Sequence, residues 1–272
     1  MPTTGQLILL IVVVALFVAG GALSFARLKW DRRDLRIASR VFLGAGIVAA
    51  GALIVWHTAS RPDRSWVPIG DNFDALIWLA TLLAMFTLYV QRHKALGALD
   101  WFVLPLVIAL LIVAGIFGRT EYHEYHPAVN NTWAWVHRVT SYGGAVAFAI
   151  AAASGAMYVL ASKKLRHKQA VGPQYGSLER LEHLTMTSVT LGFALLTIGV
   201  ITGGITMLAE GSHTSMTKIV LATIVWLVYA VVLHAPMNPS FRGRKVAVLS
   251  VVGFVLMLGT IVAVLLMPGG TS

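Results

Sequence analysis

Nine histidines stand in a chain that has no cysteine. Imidazole is the commonest protein ligand for transition metals and exchanges protons near neutral pH. Without thiols, disulfides, thiol redox relays and thiolate metal sites are excluded. His137 has the richest surroundings: Trp133 and Trp135 precede it and Arg138 follows. Together they offer one ligand, two aromatic side chains and one cation at the entrance of an apolar run. A second polar segment, Glu121-Tyr122-His123-Glu124-Tyr125-His126-Pro127, interleaves imidazoles with carboxylates. It could hold a divalent metal if it turned as a helix. No second cluster completes such a site, and a hydrated loop is its default reading. No Ser/His/Asp order, phosphate-binding loop or HExxH is visible. The chain therefore reads as a non-enzyme, in which any chemistry belongs to a cofactor.

These side chains must be positioned by apolar elements. Of the 272 residues, 57% are hydrophobic and only 12% charged, and mean hydropathy is +0.78. Average globular domains carry about 25% charged residues. The composition excludes disorder, coiled coil and a disulfide scaffold, and implies an all-α polytopic membrane protein. Eight apolar runs are read, at about Leu7–Phe25, Val41–Trp56, Phe73–Val90, Leu99–Phe117, Val136–Ala161, Leu184–Met207, Ile219–Leu233 and Val246–Met267. The second and seventh are short for the roughly 20 residues a crossing requires. The runs are continuous, without the alternation of a barrel. No composition shift or long linker divides them, so residues 1–272 are expected to form a single transmembrane domain.

The net charge of +10 is no nucleic-acid signal, because the cations cluster briefly between apolar runs. Of the 21 Lys and Arg, all but Arg61, Arg64, Arg119, Arg138 and Lys218 fall in the first, third, fifth and seventh connections. The positive-inside rule then places both termini outside. The first run has no basic residue before it and a basic cluster after it, so it reads as a retained N-out anchor. In this orientation His57, His123, His126, His137 and His213 lie near the outer face. His93, His167, His183 and His234 lie near the inner face. His167 and His183 read as solvated. Trp56, Trp66, Trp133 and Trp135 sit where an interfacial belt enriches Trp in any case. Gly44, Gly46, Gly143, Gly144, Gly155, Gly199, Gly203 and Gly204 suggest closely packed helices. No charge lies mid-span, which argues against an ion-coupled pump. Asp100 stands at a helix start, where the dipole favours a carboxylate.

Several segments resemble the haem-handling membrane proteins of cytochrome c assembly, the CcsA type, and their shorter HemX-type relatives. Pro68 and Asn72-Phe73-Asp74-Ala75-Leu76 resemble the entry to the family's third helix. Trp135-Val136-His137 resembles its outer His at the fifth. Leu191-Gly192-Phe193-Ala194-Leu195-Leu196-Thr197-Ile198-Gly199 with Gly203 is similar to its sixth helix. Trp226-Leu227-Val228-Tyr229-Ala230 with Leu233-His234 is similar to its seventh. Arg242-Gly243-Arg244-Lys245 with Gly253-Phe254 matches the basic turn and last helix. The likeness covers about residues 68–267. The family's Trp-rich outer loop between the sixth and seventh helices is missing. Here that loop reads Met207-Leu208-Ala209-Glu210-Gly211-Ser212-His213-Thr214-Ser215-Met216-Thr217-Lys218, and only Lys218 matches. No His follows the last helix.

The resemblance implies a haem-binding protein of c-type cytochrome biogenesis in the bacterial inner (cytoplasmic) membrane. It implies non-covalent haem b, surrounding lipid, a membrane partner from the assembly machinery and no nucleic acid. Haem iron takes one or two axial ligands. His137 is the outer candidate, with Trp133 and Trp135 as apolar walls and Arg138 as a propionate partner. His213 could complete an outer pair. His234 is the inner candidate, with His93 or another subunit's His opposite. The blander reading of His234 is a helix-terminal imidazole on the last carbonyls. Two alternatives stay open: a HemX-type regulator of haem synthesis acting through its basic inner face, and a structural or electron-carrying subunit of a respiratory complex.

Overall fold

In the computed structural model, residues 2–30, 33–60, 72–91, 99–117, 132–168, 176–210, 216–234 and 243–266 are described. They form helices α1 (Thr4–Trp30), α2 (Arg33–Ala59), α3 (Asn72–Val90), α4 (Asp100–Phe117), α5 (Thr132–Arg166), α6 (Leu178–Glu210), α7 (Met216–His234) and α8 (Arg244–Leu266). Five of them are long and apolar enough over their described residues to cross a membrane: α1, α2, α3, α5 and α6. The helices overrun the apolar runs. α2 begins at Arg33, eight residues before Val41, because Asp34 in its first turn suits the helix dipole. Backbone hydrogen bonding continues past the hydrocarbon boundary, so hydropathy locates a span better than a helix end.

The chain divides into two compact units, one holding α1–α4 and the other α5–α8. In unit 1 each helix packs on its sequence neighbours, and α1 closes the ring on α4. A capping box starts α1: the Thr3 N–H donates to Gln6 Oε1 (2.8 Å), and the Gln6 N–H donates to Thr3 Oγ1 (3.3 Å). At the far end of the unit a buried polar cluster ties all four helices. Asp100 Oδ2 accepts from Ser24 Oγ (2.7 Å) and from Gln91 Nε2 (2.9 Å). Ser39 Oγ donates to the Gly20 carbonyl (3.0 Å), and Arg40 donates to the Gln91 carbonyl. Asp100 is thus more than a helix-start carboxylate: its partners lie 9 and 76 residues away.

Unit 2 closes in the same way, α5–α6–α7–α8 and back to α5. Its contacts form successive levels. At one end His137 of α5 lies over Gly199 and Gly203 of α6. Below it, Trp226 Nε1 of α7 donates to Thr197 Oγ1 of α6 (3.0 Å). At mid-height the Phe148 and Tyr229 rings stack, centroids 3.4 Å apart. Gly192 of α6 receives the Phe148 ring, and Gly253 of α8 receives Tyr229. Lower still, Ser154 and Thr185 share a 2.9 Å hydrogen bond. At the far end the Gly243 N–H donates to Glu182 Oε1 (3.1 Å), and Gly243 takes the left-handed φ of +66° that opens α8.

Not every expected small residue is a packing contact. A Cβ on Gly155 would lie 2.8 Å from the Ala247 carbonyl oxygen, whereas at Gly44 and Gly204 it would meet nothing within 4 Å. The close approach of α5 to α8 therefore depends on Gly155. Gly155→Ala is expected to destabilise the protein by about 1–3 kcal/mol through forced separation of two backbones, and Gly44→Ala to leave it unchanged. Thermal unfolding in detergent compares them, and equal midpoints would contradict the assignment.

Candidate functional site

Four of the expected site residues lie on the first turns of α5. A helix turns 100° per residue, so Trp133, His137 and Ser141 share one face. The same face continues through Gly144 and Phe148, and it is the face that meets α6. Trp135 is two positions from His137 and cannot face the same way. Arg138 is rotated by one residue. The structure thus brings Trp133 and His137 onto one stripe and directs Trp135 and Arg138 elsewhere. Trp133 is exposed; Trp135, His137 and Arg138 are half-buried.

The His137 ring is held by backbone. Its Nδ1 lies 2.7 Å from the Gly199 carbonyl oxygen. A carbonyl only accepts, so Nδ1 carries a proton, and whenever the ring is neutral the lone pair is on Nε2. Metal-binding histidines adopt this arrangement, with the second nitrogen oriented by a carbonyl or carboxylate. Gly203 makes room for the ring: a Cβ there would lie 2.8 Å from His137 Cε1 and 2.9 Å from Nδ1. Gly199 is crowded too, since its Cβ would lie 2.9 Å from Ser141 Oγ. Gly199 and Gly203 are one turn apart on α6, so together they form a cradle that any side chain would fill.

His234 ends α7 and is exposed. Its Nδ1 donates to the Ala230 carbonyl of its own helix (2.7 Å), the helix-terminal contact that the dipole favours. Counted along α5 and α7 from the Phe148–Tyr229 stack at 1.5 Å per residue, His137 and His234 are about 24 Å apart. They cannot be the two axial ligands of one iron. His167 and His183 are exposed, as expected. His93, His213 and the Glu121–Pro127 segment lie outside the described residues. Among the described residues no group of three or more His, Asp or Glu is placed to hold a metal ion.

Unit 1 contains a pair that the sequence did not single out. His57 Nδ1 of α2 lies 2.9 Å from Asp74 Oδ1 of α3. Asp74 is 0% and His57 6% exposed, and the Phe73 ring packs beside the imidazole at 4.9 Å. His57 read as one of several outer histidines, and Asp74 as a helix-entry acid. They stand 17 positions apart in sequence, across the 61–71 connection, so only the fold pairs them. Opposite polarity at facing helix ends was the one available signal.

The fold is that of a multi-pass helical membrane protein whose second unit presents a backbone-oriented imidazole at one end. The profile of the family described as "Cytochrome C assembly protein" matches residues 69–269. The chain belongs to that family. It is 26% identical over 252 residues to the cytochrome c biogenesis protein CcsA of Chlamydomonas reinhardtii, covering 87% of this chain and 67% of the relative. It is 24% identical over 235 residues to CcsA of Guillardia theta, covering 78% of each. A segment of 78 residues is 47% identical to CcsA of Thermosynechococcus vestitus, 28% of this chain and 24% of the relative.

Proposed function

We propose that this chain is a haem-handling membrane protein of c-type cytochrome biogenesis, holding haem b non-covalently with His137 as an axial ligand. One observation carries the reading: the Gly199 carbonyl fixes the Nδ1–H tautomer and leaves Nε2 as the donor. When bound, haem supplies a redox-active iron whose potential follows its axial ligand and surroundings. The chain's own residues do the rest. Gly199 and Gly203 hold the ring against α6, and Trp133 offers an apolar wall one turn along the same face. His213 is the outer partner this reading assigns, and His234 with His93 would serve a separate inner position. No catalytic step is assigned to the protein itself.

The relatives' names and the family support this role. The cation distribution supports eight spans with both termini outside, and the reading places them in a bacterial inner membrane. A second membrane protein of the assembly machinery would receive or deliver the haem.

The test is an oxidised and reduced absorption spectrum of the detergent-purified protein, with and without added hemin, beside His137→Ala and His234→Ala. A histidine-ligated haem spectrum that fades in His137→Ala and persists in His234→Ala is expected. No haem in the wild type after hemin addition overturns the proposal.

A further inference from the structure

We propose that Thr202 is a positioning residue for His137. Its hydroxyl competes for the Gly199 carbonyl, weakens the hydrogen bond that this carbonyl receives from the imidazole, and so raises the potential of an iron held at Nε2. The effect on iron rests on the haem-ligand role of His137, whereas the competition for the carbonyl does not.

The Gly199 carbonyl is oversubscribed. His137 Nδ1 of α5 donates to it at 2.7 Å. Thr202 Oγ1 of α6 approaches the same oxygen at 3.2 Å. Inside α6 that oxygen is also the helical acceptor for the Gly203 N–H, four residues on. A carbonyl oxygen has two lone pairs for these three donors. Each donor draws density from the oxygen, so each weakens the hold of the others. Gly199 and Thr202 are both buried, and away from water such differences in hydrogen bonding are felt more strongly.

Thr202 differs from its neighbours on α6. Thr185, Thr190, Thr197 and Thr206 each donate to the carbonyl four residues back, the usual resting place of a helical hydroxyl. Thr202 does so too, to Ile198 at 2.7 Å, but its oxygen also reaches Gly199. A hydroxyl has one proton. Here it is divided between a carbonyl outside the site and the one that orients His137. Thr140 faces Gly199 from α5 but does not enter the contest, because its hydroxyl is committed to the Val136 and His137 carbonyls of its own helix.

The consequence has a sign. Without the Thr202 hydroxyl, the Gly199 oxygen is richer in electron density and the Nδ1–H bond tightens. The ring then moves toward imidazolate character and becomes a more basic ligand. A more basic axial ligand favours ferric iron and lowers the potential.

The test begins on the full chain in detergent, without haem, using isotopically labelled histidine. The Nδ1 nitrogen shift of His137 is read through the ring C–H protons and assigned by its loss in His137→Ala. Thr202→Val and Thr202→Ala, two hydroxyl-free variants of different size, are expected to move that nitrogen downfield. Thr202→Ser, which keeps the hydroxyl, should hold the wild-type position. So should Thr206→Val, whose hydroxyl bonds the Thr202 carbonyl instead. With hemin added, redox titration should show the hydroxyl-free variants favouring ferric iron about threefold more, a fall of about 28 mV at about 59 mV per tenfold for one electron. An unmoved or upfield nitrogen in the hydroxyl-free variants overturns the proposal, and so does an equal movement in Thr202→Ser. A shifted nitrogen with an unchanged potential overturns the effect on iron. Failure of the wild type to take up hemin overturns the haem-ligand role and that effect with it, while the nitrogen shift still decides whether Thr202 competes for the carbonyl.

Discussion

Replacing Gly203 by alanine is expected to weaken hemin binding by the purified protein about tenfold or more, while the same change at Gly204 leaves it unaltered. The two glycines are adjacent on α6, and alanine suits a helix better than glycine at both. They differ in what the methyl group meets. At Gly203 it would lie 2.8 Å from His137 Cε1, and at Gly204 it would meet nothing within 4 Å. The imidazole cannot retreat freely, because its Nδ1–H is bonded to the Gly199 carbonyl. It must tilt or surrender that bond, and either movement misdirects Nε2. Loss of an orienting contact behind a metal ligand typically costs 10–100-fold in affinity. Hemin titration followed at the Soret band measures both variants. Equal affinity in the two would remove His137 from the ligand set.

Loss of one partner of the buried His57–Asp74 pair is expected to destabilise unit 1 by about 3–5 kcal/mol. The pair bridges the end of α2 and the start of α3, with Asp74 0% and His57 6% exposed. His57→Ala removes the donor and strips contact from the Phe73 ring. Asp74→Ala leaves a buried imidazole without its carboxylate. The double variant His57→Leu/Asp74→Leu refills the space with apolar volume, and such replacements are often close to neutral. It should therefore recover much of the loss. Unfolding of all three in detergent, with His57→Ala/Asp74→Ala added, closes the cycle. Additive losses in the double alanine variant would mean that the two side chains are not coupled.

Hydropathy made the helices legible, because continuous apolar runs have few other solutions in a bilayer. All eight expected runs coincide with helices α1–α8. The short second run, Val41–Trp56, is the middle of a helix of 27 residues whose polar first turns hydropathy ignores. The site was only half legible. Trp133, Trp135, His137 and Arg138 stood out as neighbours in sequence, but helical geometry separates neighbours, and only Trp133 shares the His137 face. The true companions of His137 are Gly199 and Gly203, more than 60 residues away, whose contribution is a carbonyl and a missing side chain. Composition registers neither. Similarly, Asp100 was visible at a helix start, but Ser24 and Gln91 became its partners only through the packing of α1, α3 and α4.

The Phe148–Tyr229 stack has a bearing on traffic across the membrane. Four helices meet at that level, and two rings at 3.4 Å fill the gap between Gly192 and Gly253. No water file fits between rings in contact, so the stack closes the space between α5 and α7 at this level. A molecule as broad as haem passing between these two helices would require Tyr229 to leave the stack.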